Sequence, residues 1–165
     1  MKALDVTIRA AVPADLSNIG RLGALLVRTH HVFDAQRFIP AADDTAQRYG
    51  GFLGTQLEER NIVVLVAERG GEVVGYTYAG LEGYDYMSLR GPAGVLYDIV
   101  VEPAERGQGV GSKLLDATVA ALTALGARQI VLSTAEQNTV AQRLFARAGF
   151  RRTMIEMTRD QPDGS

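Results

Sequence analysis

A chain of 165 residues with 47% hydrophobic and 22% charged residues has the composition of a soluble globular protein and the length of one domain. Its net charge of -2 without a basic stripe argues against a nucleic-acid partner, and the absence of cysteine excludes disulfides, thiol catalysis and cysteine-based metal sites. With only two histidines and no apolar run long enough for a signal peptide or a membrane span, we expect a cytoplasmic protein that binds no metal and no membrane.

The first half of the chain predicts two strands and two helices. Apolar residues recur at helical spacing from Leu16 to Leu26, after a proline, Pro13, that suits a first helical turn. Residues 62–67 are apolar on both faces, as in a buried central strand. In chain order we predict a strand, a helix, a loop, a second helix and a strand over residues 7–10, 13–30, 31–40, 45–59 and 62–67.

The second half predicts further strands and two more helices. Gly126 and Gly149 are natural helix stops, and Asn138 is a good N-cap. In the helix that opens near residue 110, spacing predicts a buried stripe of Val110, Leu114, Ala117, Ala121 and Leu125. The predicted strands cover residues 73–82, 95–101, 129–133 and 150–159, and residues 160–165 are expected to fray. Residues 1–165 are thus predicted to form a single α/β domain with a mixed sheet.

A glycine-rich segment joins the strand at residues 95–101 to the next helix. Glycines let backbone N–H groups approach a ligand closely, and the first turn of a helix adds unpaired donors with a partial positive charge. Such a turn suits a phosphate or pyrophosphate, to which an arginine adds charge-assisted hydrogen bonds. The candidate anion-binding residues are Arg106, Gly107, Gln108, Gly109, Val110, Gly111 and Ser112.

Two common phosphate-binding motifs do not fit this segment. A Walker A loop ends in Gly-Lys-Ser/Thr, whereas here Ser112 precedes Lys113. A Rossmann fingerprint would need a glycine at Ser112 or at Leu114, depending on where it starts. What remains is Arg-x-x-Gly-x-Gly, which taken alone is short enough to be an ordinary glycine-rich helix entry.

The segment resembles the acetyl-CoA-binding signature of the GNAT superfamily of N-acetyltransferases, in which Arg/Gln-x-x-Gly-x-Gly/Ala follows the fourth strand. Two further matches lie in the correct order: an opening strand and helix at residues 8–16, and an Asn-x-x-Ala…Gly-Phe element from Asn138 to Phe150. The resemblance covers residues 6–159. It implies an α/β GNAT-like fold, with a mixed central sheet, splayed parallel strands and about four flanking helices.

In this superfamily acetyl-CoA lies where two parallel strands splay apart, which are here residues 95–101 and 129–133. The resemblance implies that the pantetheine arm pairs with the backbone of Ile99, Val100 and Val101, because the splay leaves strand amides without partners. It places the pyrophosphate on residues 107–112, with Arg106 nearby. Asn138 matches the family asparagine that contacts the cofactor, or is a plain helix cap.

The implied reaction is direct acetyl transfer from the thioester to an amine, with a base that removes a proton from the amine. Tyr97 and Asp98 stand where some members carry Glu-Asp, so both are candidate catalytic residues. Asp98 can equally be a structural carboxylate. Phe145 stands where the family usually has a tyrosine that protonates the leaving thiolate, so three alternatives stay open: the thiolate leaves unprotonated, takes a proton from water, or takes one from Tyr97 or another tyrosine.

The acceptor is expected to be a primary amine, with a small molecule preferred over a protein lysine. The candidate pocket residues are His30, His31, Phe33, Glu82 and Tyr84. The histidines can equally do no more than complement a helix dipole. Three other interpretations stay open: an acyl-CoA-binding sensor or regulatory module with little transferase activity, a nucleotide-binding protein, and a structural domain without a ligand. A short C-terminal strand with an exposed edge also allows a homodimer.

Overall fold

A computed structural model describes residues 5–163 of the chain. Short 3-10 helices lie at Pro13–Asp15 and Pro103–Glu105. The strands within the described residues are β1 (Thr7–Ala10), β2 (Ile62–Arg69), β3 (Glu72–Glu82), β4 (Ala93–Val101) and β5 (Ile130–Leu132). The α-helices of the same residues are α1 (Leu16–Phe33), α2 (Thr45–Gln56), α3 (Val110–Ala124) and α4 (Thr139–Arg147).

The strands form one sheet in the order β1-β2-β3-β4-β5. The first three pairs are antiparallel and β4–β5 is parallel, which confirms the predicted mixed sheet. The parallel ladder is short and extends only from Gly94 opposite Ile130 to Leu96 opposite Leu132. Because β4 continues to Val101, its last residues have no described strand beside them on that edge.

Helices cover both faces of the sheet, and β2 contributes alternate residues to the two cores, as strand geometry requires. Val64 and Val66 pack on the face covered by α1 and α2, in a core that also contains Tyr76. Val63 and Ala67 pack on the face covered by α3. Each fully buried large apolar side chain contributes about 1.5–3 kcal/mol relative to an exposed one. The sheet is thus held rigid from both sides.

Helices α1 and α2 approach each other closely at two glycines of α1. A Cβ at Gly20 would lie 2.2 Å from the Ala46 carbonyl oxygen, and a Cβ at Gly23 would lie 2.2 Å from the ring of Tyr49. No side chain other than hydrogen fits at either position. The close approach brings α2, and with it Tyr49, over the middle of the sheet.

The predicted buried stripe of α3 is only partly correct. Leu125 is 40% exposed, and the fully buried positions of the helix are Val110, Leu114, Leu115, Thr118 and Leu122. Thr118 can be buried because its hydroxyl donates to the Leu114 carbonyl oxygen (2.7 Å) and lies 2.7 Å from the Thr77 hydroxyl of β3. The predicted stripe included Ala117, Ala121 and Leu125 and left out Leu115, Thr118 and Leu122, so it was rotated away from the true buried face of the helix.

The predicted strand over residues 150–159 is wrong. Residues 151–163 contain no helix or strand and are exposed throughout. Helix α4 ends in a Schellman motif at Gly149 (φ 94°), in which the Phe150 N–H donates to the Phe145 carbonyl oxygen (3.0 Å). A strand must satisfy its backbone groups on a neighbour, and no described strand lies beside this segment.

Smaller differences concern the ends of other elements. Helix α1 continues to Phe33, into the predicted loop at residues 31–40, and α2 ends at Gln56 rather than at residue 59. No helix in the described range, residues 5–163, is long and apolar enough to cross a membrane. Residues 1–4, on which the signal-peptide argument rested in part, and residues 164 and 165 lie outside the described residues. Fraying of residues 160–165 stays a prediction.

Candidate active site

A cleft of about 290 Å³ opens where β4 and β5 separate. Its walls come from α1, the loop after α1, β4, the end of β5 and the first turns of α4. Five of the predicted site residues line it: His30, Tyr97, Asp98, Ile99 and Asn138. Apolar lining comes from Leu26, Val27, Phe38, Ile39, Leu96, Leu132, Ala141 and Phe145. The fold thus brings both predicted catalytic residues and two of the predicted cofactor-binding residues, Ile99 and Asn138, to one opening in the sheet.

The backbone of β4 points alternately to the two sides of this opening. At the end of the strand, the Glu102 N–H donates to the Val74 carbonyl oxygen of β3 (2.8 Å). Alternate residues of a strand point their backbone groups to the same side, so Val100, two residues before Glu102, also points its N–H and C=O to β3. Ile99 and Val101 point theirs to the open side. Two of the three predicted pantetheine-binding residues therefore present backbone groups to the cleft side, and Val100 does not.

The glycine-rich loop next to the opening presents unpaired N–H groups. Gly107 and Gly109 have φ angles of 77° and 83°, in the left-handed region that favours glycine. A Cβ at either position would meet no described atom within 4 Å, so both face open space. Helix α3 begins at Val110 without a side-chain cap, which leaves the N–H groups of Val110, Gly111 and Ser112 without intrahelical partners. These donors form an anion-binding geometry of the kind predicted.

Two arginines hold this loop in place. Arg106 donates from Nε to the Val101 carbonyl oxygen (3.1 Å), which lies on the open side of β4. Arg69 at the end of β2 donates to Oε1 of Gln108 (2.7 Å) and lies 2.8 Å from Oε2 of Glu105. The guanidinium of Arg106 therefore stands at the junction between the opening in the sheet and the N-terminus of α3.

Helix α4 closes the other side of the cleft. A Cβ at Gly111 would lie 3.3 Å from Leu144 of α4, so glycine lets the start of α3 pack against α4. Asn138 accepts a hydrogen bond from the Ala141 N–H (3.2 Å) and is the N-cap of α4. It also lines the cleft. The two interpretations of Asn138, helix cap and cofactor contact, are therefore compatible.

Asp98 is a buried carboxylate at the edge of the cleft, with 9% of its surface exposed. The hydroxyls of Tyr49 and Tyr76 (3.1 Å) both donate to its Oδ2, and no hydrogen bond from the described part of the chain reaches Oδ1. Burial raises the pKa of Asp98, although the two phenol groups and the nearby His30 act in the opposite direction. Burial also raises the pKa of Tyr49 and of Tyr76, so both stay protonated.

Tyr97 lies at the mouth of the cleft, held by an acidic side chain. Its hydroxyl donates to Oε2 of Glu82 (2.5 Å), whose other oxygen accepts from Arg90 (2.8 Å). Partial burial and the bond to Glu82 raise the pKa of Tyr97, so its phenol is protonated at neutral pH. Glu82, predicted as an acceptor-pocket residue, does not line the cleft and instead positions Tyr97.

The other predicted acceptor residues divide between the cleft and its surroundings. His30 lines the cleft, and its Nδ1 lies 2.8 Å from the Leu26 carbonyl oxygen. The Nδ1 of His31 lies 2.8 Å from the Phe38 carbonyl oxygen, and Phe33 packs edge to face on His30. His31 and Phe33 do not line the cleft; they contact Phe38 and His30, which do. Tyr84 is 70% exposed and stacks on Tyr86, away from the cleft.

The structure also shows functional neighbours that the sequence did not indicate. Tyr49 and Tyr76 hold Asp98 from α2 and β3, and the sequence gave no indication that either hydroxyl meets this carboxylate. Phe145 lines the cleft, is 6% exposed and packs edge to face on Phe150, so its position carries no proton donor. The sequence signal for the partners of Asp98 was weak, because their contacts span 49 and 22 residues of chain.

Residues 27–150 match the family model described as the acetyltransferase (GNAT) family. Thialysine N-epsilon-acetyltransferase of Bos taurus is 30% identical over 87% of this chain and 83% of its own length. Mycothiol acetyltransferase of Thermobispora bispora is 38% identical over 56% of this chain, and the match spans 31% of that protein. The chain thus matches only about a third of that relative.

Solved structures agree with this result at the level of the fold. The aminoglycoside N-acetyltransferase AAC(6')-Iy, solved in complex with CoA, superposes with a TM-score of 0.73 at 21% identity. The superposition covers 97% of each chain. The separated parallel strands, the glycine-rich entry to α3 and the capped α4 occur in the predicted order in a chain whose sequence matches the family over most of its length. The chain belongs to the acetyltransferase (GNAT) family.

Proposed function

We propose that this protein transfers the acetyl group of acetyl-CoA to the primary amine of a small molecule. The observation that carries the proposal is the adjacency of two features: the opening between β4 and β5, and the unpaired N–H groups at the start of α3. A long donor with an amide-containing arm and a pyrophosphate needs both features side by side. Arg106 lies between them in the chain, and its Nε donates to the Val101 carbonyl oxygen on the open side of β4.

In this proposal the chain holds the donor mainly through its backbone. Ile99 offers its N–H and C=O groups, and Val101 its N–H, on the open side of β4 to the pantetheine arm, while the Val101 carbonyl oxygen accepts from Arg106. The N–H groups of residues 107–112 and the Arg106 guanidinium bind the pyrophosphate. Asn138, already the cap of α4, contacts the donor from the opposite wall.

Asp98 and Tyr97 carry the proton transfers in this proposal. Acetyl-CoA supplies a thioester, at which a C–N bond to the amine forms while the C–S bond breaks. Asp98 accepts the proton that the amine loses, through Oδ1, the oxygen that its two tyrosine partners leave free. Tyr97 donates a proton to the CoA thiolate, because Phe145 has no hydroxyl and Tyr97 lines the same cleft. Glu82 is a positioning residue that acts through Tyr97.

The small size of the acceptor is supported by the cleft. Its volume is about 290 Å³, and because the donor would share it, the space left suits a small amine. Relatives with related sequences or folds are named for acetylation of thialysine and of aminoglycosides, both of them amines. His30 and Phe38 form the wall that the acceptor would contact.

Calorimetric titration with acetyl-CoA tests the donor site. We expect Gly109→Trp to weaken acetyl-CoA binding at least about tenfold, equivalent to about 1.4 kcal/mol, because the new side chain fills the space in front of the free N–H groups. Gly71→Trp is the matched control: Gly71 has the same φ of 83° and equally open space, but lies in the β2–β3 turn. Both variants carry similar backbone strain. A loss of acetyl-CoA affinity that occurs in Gly109→Trp and not in Gly71→Trp therefore supports binding at the glycine-rich loop.

No binding by the folded natural chain would overturn the proposal. If acetyl-CoA binds, a panel of small amines assayed for thiol release identifies the acceptor. Binding without transfer to any amine would favour an acyl-CoA-binding module of low activity. The single-domain organisation, the cytoplasmic location and the absence of metal and nucleic-acid partners stay predictions from the sequence.

A further inference from the structure

The cleft divides into a donor side and an acceptor side. In the proposed function, acetyl-CoA occupies the opening between β4 and β5 and lies against the wall that α4 provides. The acceptor then meets the opposite wall, which α1 and the loop after it provide. The lining residues of this acceptor wall are Leu26, Val27, His30, Phe38 and Ile39, of which His30 alone is polar. The body of the acceptor, apart from its amino group, therefore faces apolar side chains.

Charge in the cleft lining is limited to one carboxylate. Among the lining residues, all of them in the described part of the chain, Asp98 is the only acidic one, and none is a lysine or an arginine. A charge that is buried without a partner of opposite sign is strongly unfavourable. An acceptor with a carboxylate would find no cation in this lining, and an acceptor with two ammonium groups would find a single anion. The lining thus matches the charge of one amino group.

Two charged residues that contact the lining already have partners. The Arg37 guanidinium lies over an aromatic ring of the acceptor wall (4.8 Å), but it donates to both carboxylate oxygens of Glu156. Glu82, at the mouth of the cleft, accepts from Arg90 and from the Tyr97 hydroxyl. Because both charges are compensated within the chain, neither is free to pair with a second charged group of the acceptor.

The imidazole of His30 adds one hydrogen-bond acceptor to this wall. Its Nδ1 lies 2.8 Å from the Leu26 carbonyl oxygen, which cannot donate, so Nδ1 carries the proton in the neutral ring. Nε2 is then the acceptor, and no hydrogen bond from the described residues reaches it. Edge contacts with Phe33 and Phe38, at 5.7 and 5.0 Å between ring centroids, hold the ring in place. Nε2 of His30 and the free Oδ1 of Asp98 together suit the N–H groups of a single amine.

We propose that the acceptor is a monoamine with an apolar body, aromatic or aliphatic, and that it has neither a carboxylate nor a second ammonium group. The inference rests on the proposed function and adds the class of acceptor to it. In the complex the amino group lies between Asp98 and His30. The apolar body packs on the apolar side chains of α1 and of the loop after it, where burial of its surface stabilises the complex.

Matched pairs of amines in the thiol-release assay test this class of acceptor. Phenethylamine and phenylalanine differ by one carboxylate, and butylamine and putrescine differ by one terminal amino group. We expect kcat/KM to be at least about 100-fold higher for phenethylamine than for phenylalanine, because the carboxylate would be buried without a partner. For the same reason we expect butylamine to exceed putrescine at least about tenfold.

A substitution that adds a cation to the acceptor wall tests where the acceptor lies. Ile39 lines the cleft and is 74% exposed, so Ile39→Arg should fold. We expect the new guanidinium to pair with the carboxylate of phenylalanine and to raise the ratio of kcat/KM for phenylalanine to that for phenethylamine at least about tenfold. Val32→Arg is the matched control, because Val32 is 84% exposed near the end of α1 and does not line the cleft. Its ratio should equal that of the natural chain, and a ratio does not depend on how much of each variant folds.

The outcomes separate this inference from the proposed function. If phenylalanine or putrescine is used as well as its matched monoamine, the class of acceptor is wrong and the transferase activity stands. Equal effects of Ile39→Arg and Val32→Arg on the ratio would show that the acceptor does not contact this wall, which also contradicts the inference. Binding of acetyl-CoA without transfer to any amine overturns the proposed function, and the class of acceptor with it.

Discussion

The surroundings of Asp98 act on its pKa in two opposite directions. Burial favours its neutral form, while the hydroxyls of Tyr49 and Tyr76 favour the charged form. Burial is the larger effect, so the pKa of the folded state lies above that of an unfolded chain. A carboxyl group with this shift binds protons more tightly when folded. A raised pKa makes the carboxylate a stronger base, which is what the proposed transfer of a proton from the amine requires.

The pH dependence of stability follows from that shift. Between the ordinary pKa of aspartate, about 3.9, and the raised value, the folded state binds more protons than the unfolded state. The Asp98 contribution to the free energy of unfolding is therefore fully present at low pH and is lost as pH rises through the raised pKa. We expect Asp98→Asn, which can still accept the tyrosine hydrogen bonds, to flatten this fall in urea titrations at several pH values. Asp116→Asn, on the exposed face of α3, should retain the slope of the natural chain. An unchanged slope in Asp98→Asn would contradict the assignment.

Tyr97 offers a second test at the residue scale. General acid catalysis typically contributes about 100-fold or more to a rate. If Tyr97 protonates the leaving thiolate, Tyr97→Phe should lower kcat by at least about tenfold and leave the KM for acetyl-CoA near its natural value. Tyr84→Phe, at an exposed tyrosine outside the cleft, should change neither constant. A large increase in KM with kcat unchanged would show instead that Tyr97 contributes to binding as part of the cleft wall and does not donate a proton.

At the scale of elements, the contact between α1 and α2 determines where Tyr49 meets Asp98. The helices touch at Gly20 and Gly23, where any Cβ would collide with Ala46 or Tyr49. Because Tyr49 packs directly on Gly23, the position of its hydroxyl depends on the spacing of two helices. The carboxylate is thus tuned by helix packing as much as by its own strand.

Alanine substitutions of two glycines should separate packing from helix propensity. Gly20→Ala should destabilise the protein by about 1–3 kcal/mol, as is typical of overpacking, since its Cβ would lie 2.2 Å from a backbone oxygen. Gly51→Ala on α2 meets nothing within 4 Å. It should stabilise the protein by up to about 1 kcal/mol, because alanine favours a helix over glycine. Urea unfolding measures both changes. Loss of stability in both variants would mean that the helix contact is not the cause.

At the scale of the whole molecule, the sequence predicted features that depend on local contacts. The glycine-rich entry to α3 at Val110 was predicted correctly, because glycines and a helix start act over a few residues, and cofactor binding by residues 106–112 stays a prediction. The opening between β4 and β5 followed from resemblance rather than from periodicity. The buried face of α3 was misplaced, because only the tertiary partner Thr77 makes Thr118 a buried residue.

The hydrogen-bond partners of Asp98 and the predicted strand at residues 150–159 could not be determined from local sequence. Tyr49 and Tyr76 reach Asp98 only after α2 and β3 are in place. Residues 150–159 have the composition of a strand, yet a strand exists only beside another strand. β5 has a free edge, but within the described residues no part of this segment pairs with it.

The short β4–β5 ladder also gives a reason to expect that the stability of the protein depends on its ligand. A ligand that bridges the separated strands stabilises the folded state by RT ln(1 + [L]/Kd), about 2.7 kcal/mol when its concentration is 100 times Kd. With acetyl-CoA as that ligand, a cell rich in this metabolite would keep β5 closed against proteases, and a starved cell would leave it open to cleavage. The abundance of the protein would then follow the supply of its own substrate.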